Sequence, residues 1–131
     1  MMDYRVSRQY VRTDNWSVKA KASEGESDKG RWFDVKISEI SAGGFLCEKD
    51  MVFKKGDTLW FKLHIDPMIP GISDEIKMKV KGVVRSDRGK SESGLSYGIE
   101  FVEIAEPDRL RLDALVTRTI SRFGTGAIND D

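Results

Sequence analysis

Cysteine and histidine are almost missing from this chain of 131 residues, which has one of each, Cys47 and His64. One cysteine closes no internal disulfide and builds no thiolate zinc site, and one histidine joins no two-histidine metal site. Any nucleophilic triad would have to pass through His64, and any Cys–His pair through Cys47 with His64. An excess of one charge is lacking as well. The 22 Lys and Arg stand against 22 Asp and Glu, so there is no overall field to coat DNA or an anionic membrane nonspecifically. No run approaches the ~18 apolar residues of a membrane-spanning helix. The opening MMDYRVSRQYVR has no apolar signal segment. These absences lead to the expectation of a soluble, reduced, cytoplasmic chain with no membrane span, no cofactor and no metal. An enzyme is the least favoured reading.

What the chain does have is alternation. Apolar and polar residues alternate strictly over 16–22, 33–37, 59–65, 76–85 and 95–102, with a shorter stretch over 44–48 around Phe45 and Cys47. A period of two makes each stretch a half-buried strand with one wet and one dry face, which favours antiparallel pairing. Turn residues separate them: 24–30, Ser41-Ala-Gly-Gly44, Lys54-Lys-Gly-Asp57, 67–71 and 86–94. Six short strands with no helix between them predict a small barrel or sandwich, and closure is favoured because it removes exposed edges. One helix follows. Pro107 suits its first turn, flanked by Glu106 and Asp108, and Leu112, Leu115, Val116, Ile120 and Phe123 form a helical stripe. The fold class read from this is all-β: a six-stranded antiparallel β-barrel with a C-terminal α-helix. Residues 1–15 lack a period and read as a flexible N-terminal arm, 16–123 as the barrel plus helix, and 124–131 as a loose tail.

The chemistry-bearing residues are few. His64 lies on the polar side of its strand beside Trp60 and Lys62, and reads as a surface histidine. Cys47 reads as a buried structural thiol. The lysines at 77, 79 and 81 share the outward side of one strand and read as a solvated or edge-protecting row, with an anionic partner as the alternative. Acidic pairs such as Asp74-Glu75 fall in loops and are not set across a cleft. The arm contributes Arg8-Gln-Tyr-Val-Arg12. With 10 arginines in the chain, R-x-x-x-R arises about 0.7 times by chance, and Arg118–Arg122 in the helix is a second copy. Context distinguishes the first copy. It precedes the first strand, and Glu39-Ile-Ser-Ala-Gly-Gly44 follows about thirty residues on, at a strand-to-strand turn.

Arg8 and Arg12, then a near match to a D/N-x-S-x-x-G pattern at Glu39, Ser41 and Gly44, resemble the PilZ domain family. Lys55-Gly-Asp57, Tyr97-Gly-Ile-Glu-Phe-Val102 and Glu106-Pro-Asp108 fit the same family, so the resemblance runs over roughly residues 5–122. It implies the six-stranded barrel reached above from periodicity, and a receptor for cyclic di-GMP, a bacterial second messenger. The ligand-binding residues it implies are Arg8, Arg12, Glu39, Ser41, Gly43 and Gly44. Their chemistry suits that ligand. An arginine fork grips guanine O6 and N7, or a phosphate, in bidentate fashion. The Ser41 hydroxyl can serve a phosphate or a guanine edge, and the Glu39 carboxylate can accept from guanine N1–H and N2–H. Gly43 and Gly44 allow positive φ and close backbone approach. The chain departs from the family pattern by carrying Glu39 where Asp or Asn is expected.

The function expected is a cyclic di-GMP receptor whose N-terminal arm orders on ligand binding and which signals through an unidentified protein partner. The alternative is an interaction module of the same fold that does not bind the ligand. A third reading, single-stranded nucleic acid held by Trp60, Lys62 and the 77-79-81 lysines, is disfavoured by zero net charge and few exposed aromatics, so no DNA or RNA is expected.

Overall fold

Leu59, Phe61, Leu63 and Ile65 all point into one core, as do Ile76, Met78 and Val80, each at most 6% exposed. Their polar alternates face out, so the period of two is realised as a strand period. The computed structural model describes residues 10–13, 16–23, 25–49, 53–68, 75–91 and 94–123. Its elements are β1 (Val11–Arg12), β2 (Ser17–Ser23), β3 (Trp32–Ser41), β4 (Gly44–Lys49), β5 (Thr58–Asp66), β6 (Ile76–Ser91), β7 (Gly94–Glu103) and α1 (Glu106–Phe123).

The strands pair antiparallel in the order β3–β2–β5–β6–β7–β4, and β4 returns to pair with β3. The six-stranded barrel is therefore closed. Across its interior, Phe45 of β4 meets Phe61 of β5 edge to face with centroids 5.0 Å apart. Two glycines let strands and rings approach. A Cβ on Gly82 would sit 2.5 Å from Ile99 Cγ2 and 3.2 Å from Phe61 Cε2, so this position admits no side chain without repacking. Cys47 is fully buried, as read from its alternation. α1 packs against β1, β3 and β6 through Leu112, Leu115 and Val116, three residues of the predicted stripe.

The structure corrects the sequence reading in two places. Residues 11–13 are not an unpatterned arm. Val11 is 2% exposed, and Val11–Arg12 form a short strand on the side of β3 that β2 leaves uncovered beyond Val35. A two-residue strand carries too little sequence to display a period. The expected turn over 86–94 is instead largely strand: β6 continues to Ser91, and β7 begins at Gly94. The two stay paired out to Ser91 and Gly94, with register shifts between Val84 and Ser86 and between Asp87 and Lys90. A ladder is made by backbone groups, which turn-forming residues such as Gly89 also carry, so the composition of 86–94 does not mark it in the sequence. The expectations for the rest of the arm, including Arg8, and for the tail over 124–131 fall outside the described residues.

Candidate functional site

β3 carries inward residues at Val35, Ile37 and then Ile40, a step of three where a regular strand steps by two. The step is a β-bulge. Ile37 faces Cys47 on β4 and Glu39 faces Leu46, so two residues of β3 are spent against one of β4. The bulge reverses the parity of everything after it. Glu39 shares its numerical parity with Ile37 and would point inward in a regular strand. Here Ile40 takes the core position, fully buried, and Glu39 turns to the partly exposed outer side.

β1 is laid on this reversed segment, with Val11 opposite Ile40 and Arg12 opposite Glu39. Directly opposed residues in an antiparallel pair hold their Cβ atoms about 4.5–5.5 Å apart on one face. Arg12, from the sequence motif, and Glu39, from the second motif 27 positions later, therefore emerge side by side from the barrel wall. Thr13 holds β1 in this register. Its backbone N–H donates to Ser38 O at 3.1 Å, and its Oγ1 donates to Ile37 O at 2.6 Å in a buried bond. Both acceptors lie at the bulge. Thr13→Val keeps the shape and removes the hydroxyl donor. It is expected to cost about 1–2 kcal/mol of stability in denaturant titration and to speed amide exchange at 11–13. An unchanged exchange pattern would show that the hydroxyl bond is dispensable and that the backbone pairing and Val11 hold β1.

The β3–β4 turn follows at once. Ser41 is fully buried. Its Oγ donates to Gly44 O at 3.3 Å and accepts from Gly43 N–H at 3.2 Å, so the hydroxyl is spent inside the turn rather than presented outward. Gly43 contributes its carbonyl to Phe101 N–H of β7 at 2.9 Å. Gly44 is needed for another reason than the one expected. Positive-φ glycines are found at Gly25 and Gly56, whereas Gly44 sits where a Cβ would lie 2.0 Å from the carbonyl oxygen of Ile99. Its missing side chain admits the β7 backbone. Of the six predicted site residues, Arg12, Glu39, Ser41, Gly43 and Gly44 thus form one continuous strip at the β1–β3–β4 corner, and Arg8 lies outside the described residues.

Sequence reasoning missed Val11 and Thr13, which dock the arginine segment. The available signal was the three-residue step between Ile37 and Ile40, since bulges often re-aim side chains next to sites. Among the described residues, the carboxyl groups held below their ordinary range lie away from this corner. Lys79 lowers Asp28 by hydrogen bond and charge, and His64 does the same to Glu75. No group of three or more His, Cys, Asp or Glu among the described residues could hold a metal ion.

No curated protein sequence matches this chain. The fold is similar to that of the Bacillus subtilis inhibitor of motility (MotI/DgrA), with a TM-score of 0.64 and 23% identity, covering 88% of this chain and 53% of that one. It is also similar to MrkH, described as a c-di-GMP-dependent transcription regulatory factor, with a TM-score of 0.59 and 16% identity, covering 88% of this chain and 51% of that one. The chain spans about half the length of each, and at these identities the likeness is one of fold. Residues 7–118, from the segment that carries Arg8 through most of α1, match the PilZ domain, and the chain belongs to the PilZ domain family.

Proposed function

We propose that this PilZ domain is a cytoplasmic receptor that holds cyclic di-GMP between the Arg8–Arg12 segment and the β3–β4 turn, and that the ligand-bound surface engages or releases a protein target. One observation carries the proposal: Arg12 and Glu39 stand directly opposite each other on the outer side of β1 and β3, next to the Ser41–Gly44 turn. A guanidinium and a carboxylate side by side match the two needs of this ligand. Arg12 offers its fork to a phosphate or to guanine O6 and N7, while Glu39 offers an acceptor for guanine N1–H and N2–H. Ser41 then acts from within, by fixing the turn that carries Gly43 and Gly44, rather than by touching the ligand. In this reading ligand binding orders the N-terminal arm on the barrel, and Arg8 is the contact it adds beside Arg12.

The second reading, a PilZ module that does not bind the ligand, is favoured by Glu39 itself. It replaces the family's Asp or Asn with a side chain one methylene longer than Asp, so at this register a guanine has to sit farther out or the side chain has to fold. Two substitutions, read by equilibrium binding of cyclic di-GMP, test Glu39. Glu39→Asp is expected to keep or improve affinity by restoring the family's reach, and Glu39→Ala to weaken it by about 1–3 kcal/mol. An alanine variant that binds as tightly as wild type makes Glu39 a bystander. Wild type that does not bind at all supports the second reading.

A further inference from the structure

Six lysines crowd the outer face of β2, β5 and β6, on the other side of the barrel from the β1–β3–β4 corner. The registers align them in rows across the strands: Lys21, Lys62 and Lys79 in one, Lys19, His64 and Lys77 in the next. Lys81 stands opposite Trp60 in a third. Like charges directly opposite one another on a sheet are destabilising, so these rows cost the fold something. Edge protection does not explain them. β2, β5 and β6 are interior strands of a closed barrel and have paired neighbours on both sides. In a chain of zero net charge, this concentration is a local feature and not a reflection of composition.

We infer that this face is a docking surface for an acidic polypeptide segment, one bearing Asp or Glu at alternating positions of an extended strand. The surface already shows what it takes. Three carboxylates of the chain itself reach onto it: Asp34 pairs with Lys21 at 3.1 Å, Asp28 with Lys79, and Glu75 with His64. The spacing fits as well. Lys77, Lys79 and Lys81 alternate along β6, so successive ammonium stems are about 6.5–7 Å apart, the same repeat as alternate side chains of an extended peptide. An open cavity of about 850 Å³ lies on this face, with Lys19, Lys21, Lys62, Lys77 and Lys79 in its lining.

The aromatic residues argue against a nucleic acid or a membrane. Trp32 lies beneath the Lys62 ammonium at 4.2 Å, and Trp60 beneath Lys79 and Lys81 at 5.2 and 5.6 Å. One face of each ring carries a cation, which competes there with base stacking and lipid insertion. Lysine here acts as a mobile point charge, suited to carboxylates of variable position. The inference rests on this face alone and holds whether or not cyclic di-GMP binds at the other side of the barrel.

The test is fluorescence anisotropy of a labelled peptide of alternating Glu and Ser, titrated with the full chain at low ionic strength and without cyclic di-GMP. Wild type is expected to bind, and the Lys21→Gln/Lys62→Gln/Lys79→Gln variant to bind at least about tenfold more weakly. A charge-matched variant elsewhere, Lys54→Gln/Lys55→Gln/Arg118→Gln, is expected to bind like wild type. Thermal melts of all variants establish that these exposed substitutions leave the fold intact. The inference is overturned if wild type ignores the peptide, or if the two triple variants weaken binding equally. It is also overturned if a labelled oligothymidylate or phosphatidylserine vesicles bind through the same three lysines more tightly than the peptide does.

Discussion

Gly44→Ala is expected to cost this domain at least about 3 kcal/mol, the upper end of what overpacking does. The three nearest atoms the new methyl group would meet all belong to the backbone: Ile99 O at 2.0 Å, Ile99 C at 3.0 Å and Glu100 Cα at 3.1 Å. A rotamer change relieves none of these contacts. Relief requires β4 and β7 to part, and their pairing runs from Gly44–Glu100 to Lys49–Leu95 on one side of the closed barrel. For a domain of this size the loss corresponds to a fall in melting temperature on the order of 10 °C or more, large against a total stability of about 5–15 kcal/mol. Gly30→Ala is the control. No atom lies within 4 Å of the added Cβ and the backbone there is not left-handed, so its melting temperature should stay near wild type or rise slightly. A Gly44→Ala protein that melts within a degree or two of wild type would show that β4 and β7 are not held as closely as the geometry requires.

The second large effect concerns affinity. Arg8→Ala and Arg12→Ala are each expected to weaken cyclic di-GMP binding by about 1.5–3 kcal/mol, roughly ten- to over a hundredfold, because each removes charge-assisted, bidentate hydrogen bonds. Arg12 is exposed on β1, so its loss should leave the melting temperature nearly unchanged, which separates a binding defect from a folding defect. Arg118→Ala repeats the chemistry in the other R-x-x-x-R, on the exposed side of α1, and is expected to leave affinity as it was. Equal behaviour of the three variants in a titration would detach the first motif from the ligand.

The barrel was legible in the sequence because its core is built from uninterrupted alternation. Leu59 to Ile65 and Ile76 to Val80 each read out a strand and its inward side directly, and Pro107 with Leu112, Leu115 and Val116 did the same for α1. The candidate site was legible as a set of residues and not as an arrangement. The sequence order of Ile37, Ser38, Glu39 and Ile40 contained the bulge, but only the pairing with Cys47 and Leu46 fixes which side Glu39 takes. Val11 and Thr13 were silent because a two-residue strand and one threonine have no period, and their partners lie more than twenty positions away. Ser41 and Gly44 were read for a ligand. In the structure the hydroxyl closes its own turn and the missing side chain makes room for β7. A strand-to-strand contact and a ligand contact make the same demand for a small residue, and local sequence does not separate the two.

The central claim is that the β1–β3–β4 corner is a cyclic di-GMP site, and isothermal titration of the full chain with that nucleotide tests it most directly. The account predicts a saturable heat with a defined stoichiometry, strongly reduced in Arg12→Ala and retained in Arg118→Ala. A wild-type titration without heat at high ligand concentration, or a heat that Arg12→Ala leaves intact, would contradict it.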